Sequence, residues 1–340
     1  MVVVSSKPAK TEQYSYVKTS KTTTFFPGIP VIDLKKPESK NMIVKACEEF
    51  GFFKVVNHGV PMKAICELES ETEGFFSLPL EQKQKAGTPN PFGYGNKRIG
   101  RNGDVGWVEY LLLTTNHDYN SRRLSPVFGT NHDKFRSALK EYMGAVRKMA
   151  CEVLELLAEG LKIEPKNVLS KLLMDKESDS IFRLNHYPPC PPHLQPNNNI
   201  NGNGGEIDNN NTKSVVGFGE HTDPQIISLL RSNNTSGLQI CLKDGSWVSV
   251  PPDHTSFFIN VMSNGRFKSV RHRVLANGLQ SRVSMIYFGG PPLTQTIAPL
   301  PSLMQPKDMS LYKHFTWFDY KKSAYASRLA DNRLAHFHYT

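Results

Sequence analysis

The sequence of 340 residues has few cysteines and no long apolar run. No Cys-x-x-Cys pair occurs, and the cysteines are odd in number and far apart, which argues against a disulfide framework and against a thiolate metal site. They are Cys47, Cys66, Cys151, Cys190 and Cys241. No segment approaches the length of a membrane span, and three N-terminal valines are too few for a signal-peptide core. We therefore expect a cytoplasmic protein with no membrane partner.

The charge of the chain is basic but dispersed. Forty-one Lys and Arg against 31 Asp and Glu give a net charge of +10. The basic residues do not form runs, so the pattern does not indicate a nucleic-acid partner. Ordinary surface charge and mild attraction to acidic small molecules both fit. The length allows one large or two modest domains, and we expect a monomer or a weak homo-oligomer.

The N-terminal third predicts a polar leader followed by a mixed domain. Residues 1–24 are rich in Ser, Thr and Lys and predict disorder. Residues 25–130 contain a short strand at PVIDL, a helix at SKNMIVKACEEF and a second strand at GFFKVV. A second helix is indicated by apolar positions at helical spacing, namely Ile65, Leu68, Thr72, Phe75 and Phe76. His58 is interpreted as a turn histidine because no acidic partner follows it.

A glycine-rich stretch, residues 89–113, is predicted to be a loop rather than a strand. It lacks the flanking strand and helix of a phosphate-binding loop. It combines the aromatic residues Phe92, Tyr94 and Trp107 with Arg98 and Arg101. An apolar wall beside a cation would suit a hydrophobic acid, whereas a solvated loop would leave the same composition.

The remainder of the chain predicts a long helix and then a series of strands. Apolar residues step by three and four from 131 to 162, so residues 131–175 are expected to link the two halves. Eight short strands punctuated by Gly, Asn and Pro predict a jelly roll over 176–295. The Asn-rich stretch 193–213 predicts a mobile surface insert. The tail, 296–340, predicts helix and could cap the pocket mouth or simply pack against the fold.

A His-x-Asp pair is the first indication of chemistry. His221 and Asp223 are two residues apart, so on a strand they share a face. With 11 His and 31 acidic residues, about one such pair is expected by chance, and a half-buried polar pair would look the same. A second imidazole, His272, would complete the two-His, one-carboxylate set that leaves positions open on non-haem Fe(II).

A second group predicts a binding site for an acid. Arg282 and Ser284 share a face by the same period of two, and a guanidinium with a neighbouring hydroxyl can bind a carboxylate. Upstream, Tyr187 offers a phenol that could reach the same acid. Arg123 and Ser125 repeat the Arg-x-Ser pattern in a polar segment and are assigned no role.

These motifs, in this order, resemble the plant 2-oxoglutarate and Fe(II)-dependent dioxygenases. The resemblance implies an α+β fold with a double-stranded β-helix (jelly roll) core, flanking helices and a mixed N-terminal region. It implies that His221, Asp223 and His272 bind the catalytic Fe(II). It further implies that 2-oxoglutarate is bound by Asn185, Tyr187, Arg282 and Ser284, with O2 as co-substrate and ascorbate as supporting reductant.

Longer stretches resemble the gibberellin 2-oxidases that act on C19 gibberellins. They are FGYGNKRIGRNGDVGWVEYLLL, NGRFKSVRHRVL and FTWFDYKKSAYASRLADNRL, and the resemblance runs from about residue 25 to 337. It implies 2β-hydroxylation that inactivates the hormone, with succinate and CO2 as co-products. Gibberellins are rigid apolar acids, so we expect Arg98, helped by Tyr94 and Trp107, to contact the substrate.

One departure from the family pattern precedes His272. The family has a Gly-Asp turn and a Leu-Gln segment after FFINV, whereas here FFINV runs directly into MSNGRFKSV. The shortening allows two outcomes, a tighter turn or a strained iron site with weak iron binding. A gene-model or splicing variant is a third explanation. The alternatives are therefore a gibberellin 3- or 20-oxidase or flavonoid oxygenase with the same iron site, and an inactive gibberellin-binding jelly roll. A zinc hydrolase on the same ligands would leave Arg282 and Ser284 without a role.

Overall fold

The computed structural model of the chain describes residues 14–20, 25–99, 102–129, 132–194, 211–263, 265–304 and 310–339. Arg101, most of the polar leader and most of the Asn-rich insert lie outside these residues. Within the described ranges no helix is both long and apolar enough to cross a membrane.

The N-terminal region alternates short strands with helices, largely as the sequence predicts. The strands are β1 (Tyr16–Ser20), β2 (Val31–Asp33) and β3 (Phe53–Val56), and the helices are α1 (Ser39–Glu49), α2 (Met62–Ser77) and α3 (Leu80–Gln84). The buried residues of α2 include all five of the predicted apolar-face positions. Strand β1 corrects the expectation of disorder over 1–24, because residues 16–20 pair with a later strand.

The glycine-rich stretch forms a hairpin, which corrects the predicted loop. Its strands are β4 (Gly93–Ile99) and β5 (Asp104–Thr114), paired antiparallel. Two of the glycines lie where a side chain would not fit: a Cβ at Gly95 would clash with the ring of Tyr110, and one at Gly106 with the carbonyl of Gly217. Glycine marks close packing at these two positions, whereas Gly103, with φ of +84°, lies in the turn between the strands.

Helices separate this hairpin from the jelly roll. They are α4 (His117–Phe128), α5 (His132–Gly160) and α6 (Ser170–Met174). The long helix agrees with the predicted stripe, and its apolar face lies in the main core beside α1 and α2. It packs against strands of the large sheet, so it supports that sheet from behind.

The jelly roll contains the eight predicted strands. They are β6 (Ile181–Tyr187), β7 (Asn211–His221), β8 (Ile227–Ser232), β9 (Leu238–Cys241), β10 (Trp247–Ser249), β11 (Phe257–Val261), β12 (His272–Leu275) and β13 (Arg282–Gly289). The ends of the predicted insert are ordered, since residues 192–194 form a 3-10 turn and β7 begins at Asn211.

Two sheets form the roll. The smaller has the order β1-β7-β12-β9-β10, and the larger has the order β2-β3-β11-β8-β13-β6-β5-β4. The larger sheet thus combines strands from residues 25–130 with strands from the predicted jelly roll, residues 176–295. The two regions predicted from the sequence as separate domains therefore share one sheet. A second apolar cluster, which includes Tyr187, Phe218, Ile240 and Val274, fills the space between the sheets.

The C-terminal tail is only partly helical. Strands β14 (Thr296–Ile297) and β15 (Phe315–Thr316) pair, and α7 (Trp317–Ala326) follows. The turn after α7 reaches the β4–β5 hairpin: Asn102 donates to the carbonyls of Tyr325 and Ser327, and Leu329 N–H donates to Asp104. These bonds hold residues 325–329 against the end of the hairpin.

Candidate active site

The structure brings His221, Asp223 and His272 together between the two sheets. His272 on β12 pairs directly with His221 on β7, and the two ring centroids are 4.2 Å apart. One ligand atom from each of the three residues lies within 4.8 Å of the others. Asp223 lies two residues beyond the end of β7. Its position beside the two histidines therefore depends on the path of the chain after the strand, and not only on the alternation of side chains along β7.

Each imidazole is oriented by the backbone. His221 Nδ1 lies 2.8 Å from the carbonyl of Gly219, and His272 Nδ1 lies 3.2 Å from the carbonyl of Val270. A carbonyl only accepts, so both Nδ1 atoms carry hydrogen and both Nε2 atoms offer a lone pair. These Nε2 atoms lie 3.5 and 3.6 Å from Asp223 Oδ1, which leaves all three donor atoms facing one point.

Asp223 is held by Asn260 on β11. The Asn260 amide donates to Asp223 Oδ2 at 2.9 Å, which leaves Oδ1 for a metal. Burial acts to raise the pKa of Asp223, but the neighbouring His272 and His221 and the Asn260 bond outweigh it and hold the pKa below its usual range. The carboxylate is therefore charged, as a metal ligand must be.

His272 is suited to act as a neutral ligand. Burial, and then the nearby His221, lower the pKa of His272 to about 4. Two neutral imidazoles and one carboxylate are the donor set of a facial triad, with borderline and hard ligands that suit Fe(II). The residues present therefore fit the iron that the sequence motifs imply.

The predicted acid-binding residues meet on the two central strands β6 and β13. Arg282 pairs with Tyr187 and Ser284 pairs with Asn185, so all four share one face. Each is at least 96% buried. The Arg282 guanidinium carbon lies 5.4 Å from the centre of the Tyr187 ring.

Arg282 is a buried cation with two nitrogen atoms that lack hydrogen-bond partners in the described part of the chain. Its Nε and Nη1 atoms are fully buried and form no hydrogen bond there. Burial lowers the pKa of Arg282, but an arginine stays protonated in proteins. An unpaired buried guanidinium is costly, and the carboxylate of an acidic co-substrate would satisfy it.

Arg183 is a residue that the motif reading missed. It lies on β6 two residues before Asn185, and its Nε donates to Asn185 Oδ1 at 2.7 Å. Its guanidinium stacks between the rings of Tyr110 and Phe218, at 4.0 and 4.9 Å from their centres. Strand alternation from Asn185 and Tyr187 would have found it.

Asn260 is the second missed residue. It interrupts the apolar strand FFINV, and a polar residue in such a strand is a signal that it binds something. The identity of its partner, 37 residues away in sequence, depends on the tertiary structure.

The structure corrects the expectation for Tyr94. It pairs with Leu111, on the face of the sheet opposite to Tyr187 and Arg282. It is 5% exposed, and its hydroxyl donates to Glu109 at 2.5 Å. A substrate between the two sheets would not reach it, because the sheet itself lies between.

Within the described part of the chain, the contacts of Trp107 and Arg98 are with residues other than the triad. The Trp107 indole packs edge-on against Tyr14 and donates to the carbonyl of Pro188 at 2.8 Å, so its polar and apolar contacts are internal. Arg98 is exposed near the end of β4, and its carbonyl accepts from the Tyr110 hydroxyl. Of the three, only Arg98 keeps a side chain free to meet a ligand from solvent.

His58 is the turn histidine that the sequence indicates. Its Nδ1 accepts from Val60 N–H, and its Nε2 lies 3.1 Å from the carbonyl of Thr255. Arg123, the second Arg-x-Ser arginine, donates to three backbone carbonyls and has a structural role.

The shortened segment before His272 forms a tight connection without displacing the triad. Residues 262–271 join β11 to β12. Met262 N–H donates to Ile226, Phe267 N–H to the Ser263 hydroxyl, and Lys268 N–H to Cys47. Two of these bonds join the connection to neighbouring elements and one lies within it, and the three triad residues stay together.

Two family models match the chain. The 2OG-Fe(II) oxygenase superfamily matches residues 178–291, and the N-terminal domain described as "non-haem dioxygenase in morphine synthesis" matches residues 29–132. The first range contains every triad and acid-binding residue named above. The chain belongs to the 2OG-Fe(II) oxygenase superfamily.

Within this superfamily the chain is most informatively compared with curated plant relatives. It is 63% identical to gibberellin 2-beta-dioxygenase 1 of Pisum sativum, over 99% of this chain and 98% of the relative. It is 58% identical to gibberellin 2-beta-dioxygenase of Phaseolus coccineus over the same shares, and 61% identical to gibberellin 2-beta-dioxygenase 1 of Arabidopsis thaliana over 92% and 93%.

Solved structures agree on the fold. JOX2 in complex with 2OG, Fe and JA has a TM-score of 0.76 at 24% identity, covering 94% of this chain and 91% of that one. The rice dioxygenase for auxin oxidation has a TM-score of 0.71 at 23% identity, covering 92% and 100%. The expected α+β jelly roll is confirmed by these neighbours.

Proposed function

We propose that this chain hydroxylates C19 gibberellins at the 2β position and so inactivates them, using Fe(II), O2 and 2-oxoglutarate. The observation that carries the proposal is the high identity, over nearly the whole chain, to proteins named gibberellin 2-beta-dioxygenase. The intact His221, Asp223 and His272 set supports catalysis, so the inactive binding protein is not favoured. We further propose a cytoplasmic monomer or weak homo-oligomer with no nucleic-acid or membrane partner, as the composition predicts.

One group of residues binds the metal, and a second group binds 2-oxoglutarate. Iron held by the triad would activate O2 for oxidative decarboxylation of 2-oxoglutarate to succinate and CO2, coupled to hydroxylation of a substrate C–H bond. Arg282 binds the far carboxylate of 2-oxoglutarate, and Ser284 and Tyr187 add hydroxyl donors. The register of β6 and β13 fixes these groups relative to one another, which positions the keto acid end toward the triad.

Asn185 and Arg183 complete the polar wall beside the co-substrate. Arg183 holds the Asn185 side chain through its Nε, and the two flanking rings restrict the guanidinium. We infer that this pair orients the co-substrate and adds positive charge near the triad. The surrounding apolar cluster excludes water from the reacting groups.

The direct test is turnover by purified protein. With Fe(II), ascorbate, 2-oxoglutarate and O2, a C19 gibberellin should produce succinate and a product one oxygen atom heavier, hydroxylated at the 2β position. Hydroxylation at another carbon would instead indicate a 3- or 20-oxidase. His272→Ala should abolish both products, whereas His254→Ala, an exposed histidine outside the site, should retain them.

Arg98 is proposed to meet the substrate from the rim. Its exposed side chain lies at the hairpin end to which the C-terminal turn is attached, and long-range attraction of an acid needs no buried contact. Arg98→Ala should raise KM for gibberellin and leave KM for 2-oxoglutarate unchanged. Unchanged gibberellin kinetics would remove Arg98 from the proposal.

A further inference from the structure

A cavity of about 390 Å³ opens beside the triad. One part of its lining contains Asp223 and Asn260, a second comes from residues 262–263 and 265–271 of the connection, and a third comes from the C-terminal segment. Its volume falls in the range of pockets that bind small molecules. It is thus a space adjoining an iron ligand and formed partly by the shortened connection.

Apolar side chains line much of this cavity. Met262 and Phe267 from the connection and Leu334 from the C-terminal segment contribute to its surface. Phe267 is 8% exposed, so its ring belongs to the protein interior. Such a surface suits a rigid apolar molecule.

Three cations border the cavity, and two of them are already engaged. Arg271 forms an ion pair with Glu220 at 2.6 Å, and Lys268 donates to the carbonyl of Glu49 at 3.1 Å. The third is Arg333, which is 9% exposed. Its Nη1 donates to the carbonyl of Ala324, at the end of α7.

The guanidinium of Arg333 has a hydrogen-bond donor without a partner. Its Nε is buried without a hydrogen-bond partner, and it forms no ion pair with any carboxylate in the described part of the chain. Capping the end of α7 accounts for Nη1 but not for a buried, unpaired Nε. Arg333 lines the cavity, so a carboxylate placed there would lie beside its guanidinium.

We propose that this cavity is the substrate compartment and that Arg333 binds the substrate carboxylate within it. The assignment rests on the proposed function and names the residue that selects an acid. The apolar residues hold the ring system, Arg333 holds the acid end, and Asp223, which also lines the cavity, marks the direction of the iron. Arg98 at the rim then assists capture, while Arg333 provides the anchor.

The test compares a C19 gibberellin with its methyl ester, which removes the charge and keeps the ring system. Binding is measured by calorimetry on the full chain loaded with Mn(II) and 2-oxoglutarate, so the readout does not require turnover. Wild type should bind the acid roughly 10- to 100-fold more tightly than the ester, as expected for a hydrogen bond to a charged group. Equal affinities in wild type would overturn the assignment without any variant.

Variants then locate the anchor. Arg333→Gln should lose most of the preference for the acid while binding the ester as wild type does, and Arg333→Lys should recover part of it. Arg328→Gln removes an exposed arginine from the same segment and should retain the full preference. Binding of 2-oxoglutarate, measured alongside, should be unchanged in all three.

The outcomes separate this inference from the proposed function. A full acid preference in folded Arg333→Gln overturns the inference, and so does its loss in Arg98→Ala with retention in Arg333→Gln. In both cases wild-type turnover of gibberellin would still support the function. Absence of wild-type gibberellin binding and turnover would instead overturn the function on which the inference rests.

Discussion

At the scale of single residues, the three proposed iron ligands are oriented by their partners. Two backbone carbonyls fix which nitrogen of each imidazole faces the metal, and Asn260 occupies one oxygen of Asp223. Such partners reduce the freedom of each ligand before the metal binds, which contributes to metal affinity. The donor atoms therefore need little rearrangement.

Replacement of Asn260 tests this role. Asn260→Ala removes the hydrogen bond to Asp223 Oδ2, so the carboxylate can rotate, and metal affinity should fall roughly 10- to 100-fold. Calorimetric titration with Mn(II) measures the change. Asn57 donates to Asp33 in the same way at an exposed position with φ of +53°, so Asn57→Gly is the matched control and should bind metal as wild type does. An equal loss in both variants would contradict the prediction.

Replacement of Arg282 tests the co-substrate site. Arg282→Gln removes the charge that the 2-oxoglutarate carboxylate requires, and a charge-assisted bond of about 1.5–3 kcal/mol predicts a rise in KM for 2-oxoglutarate of roughly 10- to 100-fold. Arg282→Lys retains the charge but not the bidentate geometry and should lie between.

The matched control for that experiment is Arg266→Gln, which removes a half-exposed arginine whose ion pair with Glu48 lies at the surface. Its KM for 2-oxoglutarate should equal that of wild type. If Arg282→Gln also keeps the wild-type KM, another residue must bind the acid.

At the scale of elements, the end of the β4–β5 hairpin is bonded to the C-terminal segment that leads to the cavity. Asn102 and Asp104, at the end of the hairpin, bind three backbone groups between Tyr325 and Leu329. The segment that follows carries Arg333 to the cavity. The hairpin thus determines where the C-terminal residues lie.

Asn102→Ala should weaken the attachment of residues 325–329 to the hairpin. Two side-chain hydrogen bonds to the segment are lost, so amide hydrogen exchange over residues 325–334 should become faster while exchange in α5 stays unchanged. Asn96→Ala, at an exposed position on β4, serves as the control. Equal exchange rates in the two variants would show that Asn102 does not hold the segment.

At the scale of the whole molecule, a buried charge network joins the N-terminal region to the jelly roll. Glu109 on β5 accepts from Lys83, Tyr94 and His186, at 2.7, 2.5 and 2.7 Å. His186 lies between Asn185 and Tyr187 in sequence, and its other nitrogen contacts the Ser281 hydroxyl beside Arg282. The network therefore supports the co-substrate strands from the opposite face of the sheet.

Glu109→Gln should lower the free energy of unfolding by about 3–5 kcal/mol at neutral pH, because it leaves the Lys83 ammonium buried without its counter-charge. Chemical denaturation measures this. Glu159→Gln, which breaks the exposed pair with Lys166, should have a much smaller effect. A similar loss in both variants would contradict a special role for the buried network.

The same network predicts a pH dependence. Burial acts to raise the pKa of Glu109, but its hydrogen bonds from His186, Lys83 and Tyr94 outweigh burial and leave the pKa lowered from 4.5. The stabilisation is thus present above the unfolded pKa and is lost as pH falls through the lower, folded value. The difference in free energy of unfolding between wild type and Glu109→Gln should shrink as the pH drops below 4.5. A difference that grows as the pH falls would contradict the prediction.

The amino-acid sequence alone predicts the helices, strands and metal-binding side chains that leave a local pattern. Periodicity predicts the apolar stripe of α5 and the shared face of Arg282 and Ser284, and the punctuation by Gly, Asn and Pro predicts the eight strands of the roll. These patterns can be read without knowing how the chain folds. The order of motifs, together with the resemblance, gave the triad. The helices and strands depend on residues that are close in sequence. The triad was predicted because few residue types other than His and Asp bind metal ions.

Contacts between groups that are distant in sequence depend on how the chain folds. The glycines of residues 89–113 indicated a loop, but pairing with β6 makes the segment a hairpin, because neighbouring strands satisfy its backbone hydrogen bonds. That register places Tyr94 on the far face from the site. The bond from Asn260 to Asp223, and the approach of Arg333 to the cavity beside them, join segments that are far apart in sequence, so no local pattern records them.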